Sequence, residues 1–249
     1  MKRWLIVLAV SLGLLAPAAA FWQSRDSNYN ISTSSGTSPA TQTFETFATE
    51  NAGTATATFN ATGLGATSSN RVIGIIAMAR SNANSNSVTG ITLNATNNAL
   101  HCTGSLASPL GLMASDIWYF ADAGALGTST NIVVTWTGTN TRSGIYVYNI
   151  TTTTPTPANC AETSGVTTFT SLSQSITVPA NGVGIAGVAS QQTGNTQSFT
   201  NATLDSSNAL SGGQSTAGGH TTSTGSVSVT GNSTGTANTM VLSLAAWGP

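Results

Sequence analysis

Charged side chains are scarce in this sequence of 249 residues. Lys plus Arg number six and Asp plus Glu seven, together 5% of the chain, whereas about a quarter of a typical soluble domain is charged. Ser, Thr and Asn instead supply 96 positions. This composition excludes coiled coils and charged disordered tails, and it is too polar for a membrane protein with many spans. A β-rich globular fold remains.

The first twenty residues have the features of a secretory signal peptide. Lys2 and Arg3 precede a mainly apolar run at residues 5–15, and alanines at positions 18 to 20 suit a signal-peptidase site. The alternative is a retained membrane anchor, but about 15 apolar residues are fewer than the roughly 20 that span a bilayer. We expect a cleaved signal peptide at residues 1–20, a flexible N-terminal arm at residues 21–40 and a β-sandwich domain at residues 41–249. The protein is then secreted, periplasmic or on a cell surface.

Lysine is absent from the chain after Lys2. The expected mature chain has four arginines against seven acidic residues, a net charge of about −3. Nucleic-acid binding requires a basic patch that displaces counterions from phosphates, and four scattered arginines do not form one. The same shortage argues against binding to anionic lipid. We therefore expect no nucleic-acid partner, and no membrane partner once the signal peptide is cleaved.

Cysteine occurs only as the pair Cys102 and Cys160. An exported protein with an even number of cysteines is a candidate for a disulfide. The alternative is two buried free thiols. We predict the disulfide, which would stabilise the fold by about 4 kcal/mol on the chain-entropy argument.

Two kinds of strand pattern run through the sequence. Residues 54–59 and 172–178 alternate apolar with polar side chains, which is typical of half-exposed strands. Residues 71–80 and 182–189 are continuously apolar and short, which indicates central strands covered on both faces. Residues 211–219, dense in Gly and Ser, are expected to form a surface loop. Further strands are expected at residues 88–93, 116–121, 131–137, 144–150, 226–230 and 239–247.

A weak internal repeat relates residues 72–100 to residues 182–210. The matches include Gly74 with Gly184 and Ile75 with Ile185, and the order of strands and loops is similar in the two halves. Two similar antiparallel halves facing each other would bury a single core. We therefore predict an all-β fold, an antiparallel two-sheet β-sandwich that is jelly-roll-like.

Five strand motifs succeed one another along residues 54–249: RVIGII from Arg71, IVVTWTG from Ile132, RSGIYVY from Arg142, ITVPANGVGI from Ile176 and LSLAAW from Leu242. This succession resembles a poorly characterised family of β-sandwich, jelly-roll-like proteins in tailed-phage and proteobacterial genomes. The resemblance implies a virion or envelope surface protein and brings no catalytic residues with it. The signal peptide departs from the phage pattern, because virion proteins usually assemble in the cytoplasm.

Residues that could carry catalysis or bind metal are few. His220, in the segment GGHTTS, could act as a base towards a serine with an aspartate orienting it; the alternative is a solvated loop histidine. His101 and Cys102 could supply two zinc ligands, and Asp116 with Asp122 could bind calcium. Neither set forms a dedicated site, so we expect no catalytic residue, no metal and no cofactor.

The aromatic residues offer a candidate ligand platform. Rings on one outward face could stack against sugars, with Asn and Thr side chains as hydrogen-bonding neighbours. The alternative is packing in the core or between subunits. The candidate rings are Trp118, Phe120, Trp136, Tyr146 and Tyr148.

These observations favour an exported, non-enzymatic structural or recognition protein of a cell or virion surface. A polar surface with few charges suits packing between subunits, so we expect a homo-oligomer or contacts with other surface proteins. The alternatives are a lectin-like carbohydrate-binding module, with glycans as partners, and a secreted hydrolase.

Overall fold

Alternating and continuous apolar patterns both become strands in the computed structural model. It describes residues 38–50, 53–81, 86–102, 113–166, 168–191, 196–210 and 213–249. The expected signal peptide and most of the expected N-terminal arm lie outside the described residues. Within the described ranges every regular element is a β-strand, and none is a helix long and apolar enough to cross a membrane.

The first half of the chain forms two antiparallel sheets. We call the five-stranded sheet inner sheet 1, with strand order β1-β9-β3-β7-β6, and the four-stranded sheet outer sheet 1, with order β2-β8-β4-β5. Their strands are β1 (Thr41–Glu50), β2 (Thr56–Gly63), β3 (Arg71–Ser81), β4 (Val88–Leu93), β5 (Asn97–Asn98), β6 (Leu100–His101), β7 (Met113–Ala121), β8 (Ser129–Trp136) and β9 (Asn140–Thr151).

The second half repeats this arrangement. Inner sheet 2 has strand order β10-β17-β12-β15-β14, and outer sheet 2 has order β11-β16-β13. Their strands are β10 (Asn159–Gly165), β11 (Phe169–Val178), β12 (Val183–Ser190), β13 (Gln197–Thr200), β14 (Thr203–Leu210), β15 (Gln214–Thr221), β16 (Gly225–Ala237) and β17 (Met240–Trp247).

The two halves have the same topology. With β5 and β6 counted as one strand, the first, last, third and sixth strands of each half lie side by side in its inner sheet, and the second, seventh and fourth lie side by side in its outer sheet. This is the order of an eight-stranded jelly roll, in which β5 and β6 of the first half together take the place of β14. The all-β antiparallel sandwich and its two similar halves are confirmed, with one difference: each half is a complete two-sheet sandwich.

Three cores hold the four sheets together. The first core lies between outer sheet 1 and inner sheet 1 and contains Phe59, Ile75 and Ile132. The second core lies between inner sheet 2 and outer sheet 2 and contains Val188 and Val229. The seam core lies between the two inner sheets. It contains residues of both, among them Ile76, Tyr148, Ile185 and Trp247.

The continuous apolar strands are covered on both faces, as expected. In β3, Ile73 and Ile75 lie in the first core, whereas Val72 and Ile76 lie in the seam core. Because successive strand side chains point to opposite faces, a strand between two cores must be apolar at every position. The single core expected from the sequence is thus replaced by three, because each half has its own sandwich core and a further core lies between the two halves.

One predicted loop is a strand. Residues 214–221 overlap the expected loop at residues 211–219. They form β15, which lies in inner sheet 2 between β12 and β14. Glycine is required here because the sheets approach closely: a Cβ added at Gly218 would lie 2.6 Å from Cδ1 of Tyr146. The glycines that suggested a loop instead allow close packing at the seam.

Candidate functional site

The aromatic rings proposed as a ligand platform are mostly buried. Trp118 and Trp136 lie in the first core at 8% and 3% exposure, and Tyr146 and Tyr148 lie in the seam core at 0%. Phe120 is partly buried against the first core. Both faces of inner sheet 1 are covered, so rings on either face of its strands enter a core. These four buried rings do not form an exposed stacking surface, which corrects the platform hypothesis.

The exposed surface of outer sheet 2 consists of hydroxyl and amide side chains. Outward-facing residues of β11, β16 and β13 form rows across the sheet, with Ser173 opposite Thr230 and Thr230 opposite Thr200. The Ser173 and Thr230 hydroxyls lie 2.8 Å apart, and the Asn232 amide donates to Thr200 Oγ1 at 3.1 Å. The outward positions in these rows are Ser171, Ser173, Ser175, Thr177, Ser198, Thr200, Ser226, Ser228, Thr230 and Asn232.

Outer sheet 1 has a similar surface at the opposite side of the stack. Thr56 lies opposite Thr135, and Val133 lies between Thr58 and Thr92 in the neighbouring row. Val133 is half-buried and is the apolar member of these rows. Strand neighbours lie about 4.8 Å apart and rows about 7 Å apart. The protein therefore presents two regular arrays of small polar groups.

No strand of either outer sheet contains a charged residue. The charged side chains of the described ranges lie in the strands of the two inner sheets or, for Asp122, directly after β7. Because charge is confined to the middle of the stack, both outer faces are neutral. The composition indicated few charges, but only the fold shows where they are concentrated.

The two sandwiches are joined covalently at the seam. Cys102 follows β6 of the first sandwich, Cys160 lies in β10 of the second, and the two form a disulfide with a Cα–Cα distance of 5.7 Å. Side-chain hydrogen bonds also cross the seam. Ser115 Oγ lies 2.7 Å from Ser243 Oγ, and both side chains are buried.

Three ionisable side chains lie together beside this disulfide. His101 in β6, Asp116 in β7 and Glu162 in β10 have potential ligand atoms within 4.8 Å of one another, and His101 Nε2 lies 3.6 Å from Asp116 Oδ1. Burial, and secondarily the negative charge of Asp116, raise the pKa of Glu162 to about 9. Glu162 was not among the candidate residues, although its position two residues after Cys160 could have indicated it, since a disulfide brings its flanking residues together.

The other histidine lies in a strand and not in a flexible loop. His220 is in β15, and its Nδ1 lies 2.7 Å from Oδ1 of Asp205 in β14. Burial, and then the negative charge of the nearby Asp205, raise the pKa of the Tyr148 phenol well above its usual value. An aspartate thus orients His220 as the hydrolase hypothesis required, but among the described residues its ring has no hydrogen bond to a serine.

The suggested calcium pair is separated. Asp116 accepts a hydrogen bond from the Val88 backbone N–H at 2.9 Å, whereas Asp122 forms a buried ion pair with Arg71. The two aspartates are six positions apart along β7 and its end, which corresponds to about 20 Å of extended chain. They therefore cannot bind one ion, which corrects that alternative.

No protein-family profile matches this chain, and a comparison with curated protein sequences found no match. Among solved structures, a chain in the crystal structure of Cucumber Necrosis Virus matches at 10% sequence identity and a TM-score of 0.25. The match covers 84% of this chain and 86% of that chain. Similarity at this level carries no argument, so the fold assignment rests on the strand topology.

Proposed function

We propose that this is an exported, non-enzymatic structural protein of a cell or virion surface, and that its neutral outer faces pack against other protein subunits. The observation that carries the proposal is the absence of charge from every strand of both outer sheets. Charged residues are depleted in the cores of protein interfaces, because desolvating them is costly.

Two further features support this proposal. The rows consist of short Ser, Thr and Asn side chains, so a second protein surface can approach them closely and exchange hydrogen bonds. The disulfide between the sandwiches suits an oxidising compartment. The resemblance of the strand motifs to the phage and proteobacterial β-sandwich family favours the virion or envelope surface as the location.

The carbohydrate-binding alternative depended on exposed aromatic rings, and the structure buries most of them. Ring stacking supplies much of the contact with sugars, and four of the five candidate rings are buried. The outer faces retain hydroxyl and amide groups that could hydrogen-bond a glycan, so a glycan array tests this alternative directly. We expect no specific glycan signal.

Light scattering on the mature protein at micromolar concentration tests the subunit-packing proposal. We expect a homo-oligomer, because outer faces without charged side chains favour association. A lysine at the centre of each face identifies the interface: Thr230→Lys on outer sheet 2 and Val133→Lys on outer sheet 1. We expect one of them to dissociate the oligomer, and the other is its matched control. A wild-type protein with the mass of a single chain would overturn the proposal.

A further inference from the structure

The cluster beside the disulfide has the composition and spacing of a metal site. Three strands supply its members: His101 from β6, Asp116 from β7 and Glu162 from β10. In a tetrahedral zinc site with bonds of about 2.1 Å, neighbouring ligand atoms lie roughly 3.4 Å apart. The 3.6 Å between His101 Nε2 and Asp116 Oδ1 is close to that distance.

Two atoms of the cluster have no hydrogen-bond partner. His101 Nε2 and Glu162 Oε1 are both buried from solvent, and neither has a partner within the described part of the chain. An unpaired buried polar atom costs about 1 to 3 kcal/mol, so native structures rarely leave one unsatisfied. A cation held among the three side chains would give both atoms a partner.

The surrounding structure holds the cluster in place. The Val88 N–H donates to Asp116 Oδ2 at 2.9 Å, which fixes the carboxylate and leaves Oδ1 directed towards His101. Hydrogen bonds of this kind typically orient metal-binding carboxylates. His101 is next to Cys102, and Glu162 lies two residues after Cys160. The disulfide between these cysteines therefore holds the two ligands, one from each sandwich, near each other.

We propose that His101, Asp116 and Glu162 bind a divalent cation of the zinc class at the seam between the two sandwiches. An imidazole nitrogen with two carboxylates suits Zn²⁺ and similar transition metals, whereas Ca²⁺ and Mg²⁺ prefer sites made entirely of oxygen. Because the ligands come from both sandwiches, the ion adds a second connection beside the disulfide. Its role is therefore structural, and it stabilises the packing of one sandwich on the other.

The test uses the full mature protein, treated with chelator and then freed of it. Titration with ZnCl₂ by calorimetry is expected to show one ion per chain, with a rise in melting temperature. Replacement by Co²⁺ gives an independent readout, because its visible absorption reports nitrogen and oxygen ligation without any variant. Titration with CaCl₂ distinguishes the class of ion, and we expect Ca²⁺ to bind far more weakly than Zn²⁺.

Three variants locate the ion. Replacing even a supporting residue of a metal site costs about 10- to 100-fold in affinity, so we expect His101→Gln and Glu162→Gln each to lose at least that much. His220→Gln is the matched control, because His220 also faces an aspartate but has no third ligand within the described residues. Circular dichroism confirms that each variant folds.

Several outcomes would overturn the proposal. They are no Zn²⁺ binding by the wild-type protein, equal losses in His101→Gln and His220→Gln, and Ca²⁺ binding that exceeds Zn²⁺ binding. If the Glu162→Gln chain does not fold, the Co²⁺ spectrum of the wild type and the His101→Gln titration still decide the matter.

Discussion

Arg71 shows how the interior accommodates a full charge. Its side chain has no exposed surface and forms an ion pair with Asp122. The guanidinium also donates to four backbone carbonyls of the two loops that meet there, those of Gly65, Ala66, Leu126 and Gly127. All its donors are directed at fixed acceptors, which is the geometry that favours Arg over Lys.

Removing this guanidinium should be strongly destabilising. Arg71→Met leaves the Asp122 carboxylate buried without its cation and four carbonyls without their donor, so we expect a loss of about 3 to 5 kcal/mol in the free energy of unfolding. Urea denaturation measures it. Thr58→Ala on the exposed face of outer sheet 1 is the control, with an expected change within about 0.5 kcal/mol. Equal effects of the two variants would contradict the role assigned to Arg71.

Tyr146 makes the free energy of unfolding depend on pH in the alkaline range. Burial raises the pKa of its phenol from 10 to about 12, although hydrogen bonds to Thr216 and Asn208 oppose the shift. The folded state therefore retains this proton where the unfolded state has lost it. The stability that results is fully present below pH 10 and is lost as the pH rises towards about 12.

The Tyr146→Phe variant tests this dependence. Phenylalanine keeps the ring but cannot ionise, so the decrease in unfolding free energy between pH 10 and 12 should be smaller than in the wild type. At neutral pH the variant should lose about 1 kcal/mol, because the hydrogen bond to Thr216 is gone. Denaturation at several pH values, with tyrosinate absorbance to follow ionisation, gives both quantities. An unchanged pH dependence would show that Tyr146 does not titrate with unfolding.

At the scale of the strands, hydrophobic patterns predict the central elements well. The runs at residues 71–80 and 182–189 become β3 and β12, each buried at nearly every position. Strands β1, β10 and β14 were not predicted. They lie at sheet edges and are polar with mixed burial, so they show no clear hydrophobic pattern. Strand β15 escaped because glycine is ordinarily a turn signal, and nothing local reveals that a tyrosine from the other sandwich packs against it.

Candidate sites were harder to predict than strands, for a related reason. His101, Asp116 and Glu162 come from three strands of two sheets, so no spacing along the chain relates them. The disulfide is the signal that could have joined them, since it brings the neighbourhoods of Cys102 and Cys160 together.

The rings of the expected platform lie on three strands. Trp118, Tyr146 and Tyr148 belong to inner sheet 1, which other sheets cover on both faces, and Trp136 faces inward from outer sheet 1. A local sequence pattern cannot show either arrangement.

The need for glycine at the seam can be tested by comparing Gly218 in β15 with a glycine that has free space around it. Gly218→Ala places a Cβ 2.6 Å from Tyr146 Cδ1 and 2.7 Å from the Tyr148 hydroxyl oxygen, so the seam must shift. Overpacking of this kind costs about 1 to 3 kcal/mol. The control is Gly90→Ala in β4, where no atom lies within 4 Å of the added Cβ.

Thermal and urea denaturation distinguish the two glycines. We expect Gly90→Ala to be neutral or stabilising by up to about 1 kcal/mol, because alanine reduces the freedom of the unfolded chain. If Gly218→Ala were equally harmless, the close approach of the inner sheets at β15 would be wrong.

At the scale of the whole molecule, two jelly rolls pack through their larger sheets and leave their smaller sheets facing outwards. The inner sheets carry the charges and the disulfide, whereas the outer sheets carry neutral hydroxyl and amide rows. This division suits a protein whose interior provides stability and whose two faces are available for contacts. Residues 152–158 make the single backbone connection between the sandwiches within the described chain, so the disulfide provides a second covalent link.

The disulfide should therefore contribute strongly to stability. Its cysteines are 58 positions apart, and closing a loop of that length stabilises by about 4 kcal/mol on the chain-entropy argument. We expect the Cys102→Ser, Cys160→Ser double variant to lose up to that amount in the free energy of unfolding. Its far-ultraviolet circular dichroism should remain that of the wild type, because each sandwich keeps its own core. Alkylation of the wild type under denaturing, non-reducing conditions should modify neither cysteine, and two modified thiols would show that the bridge is absent.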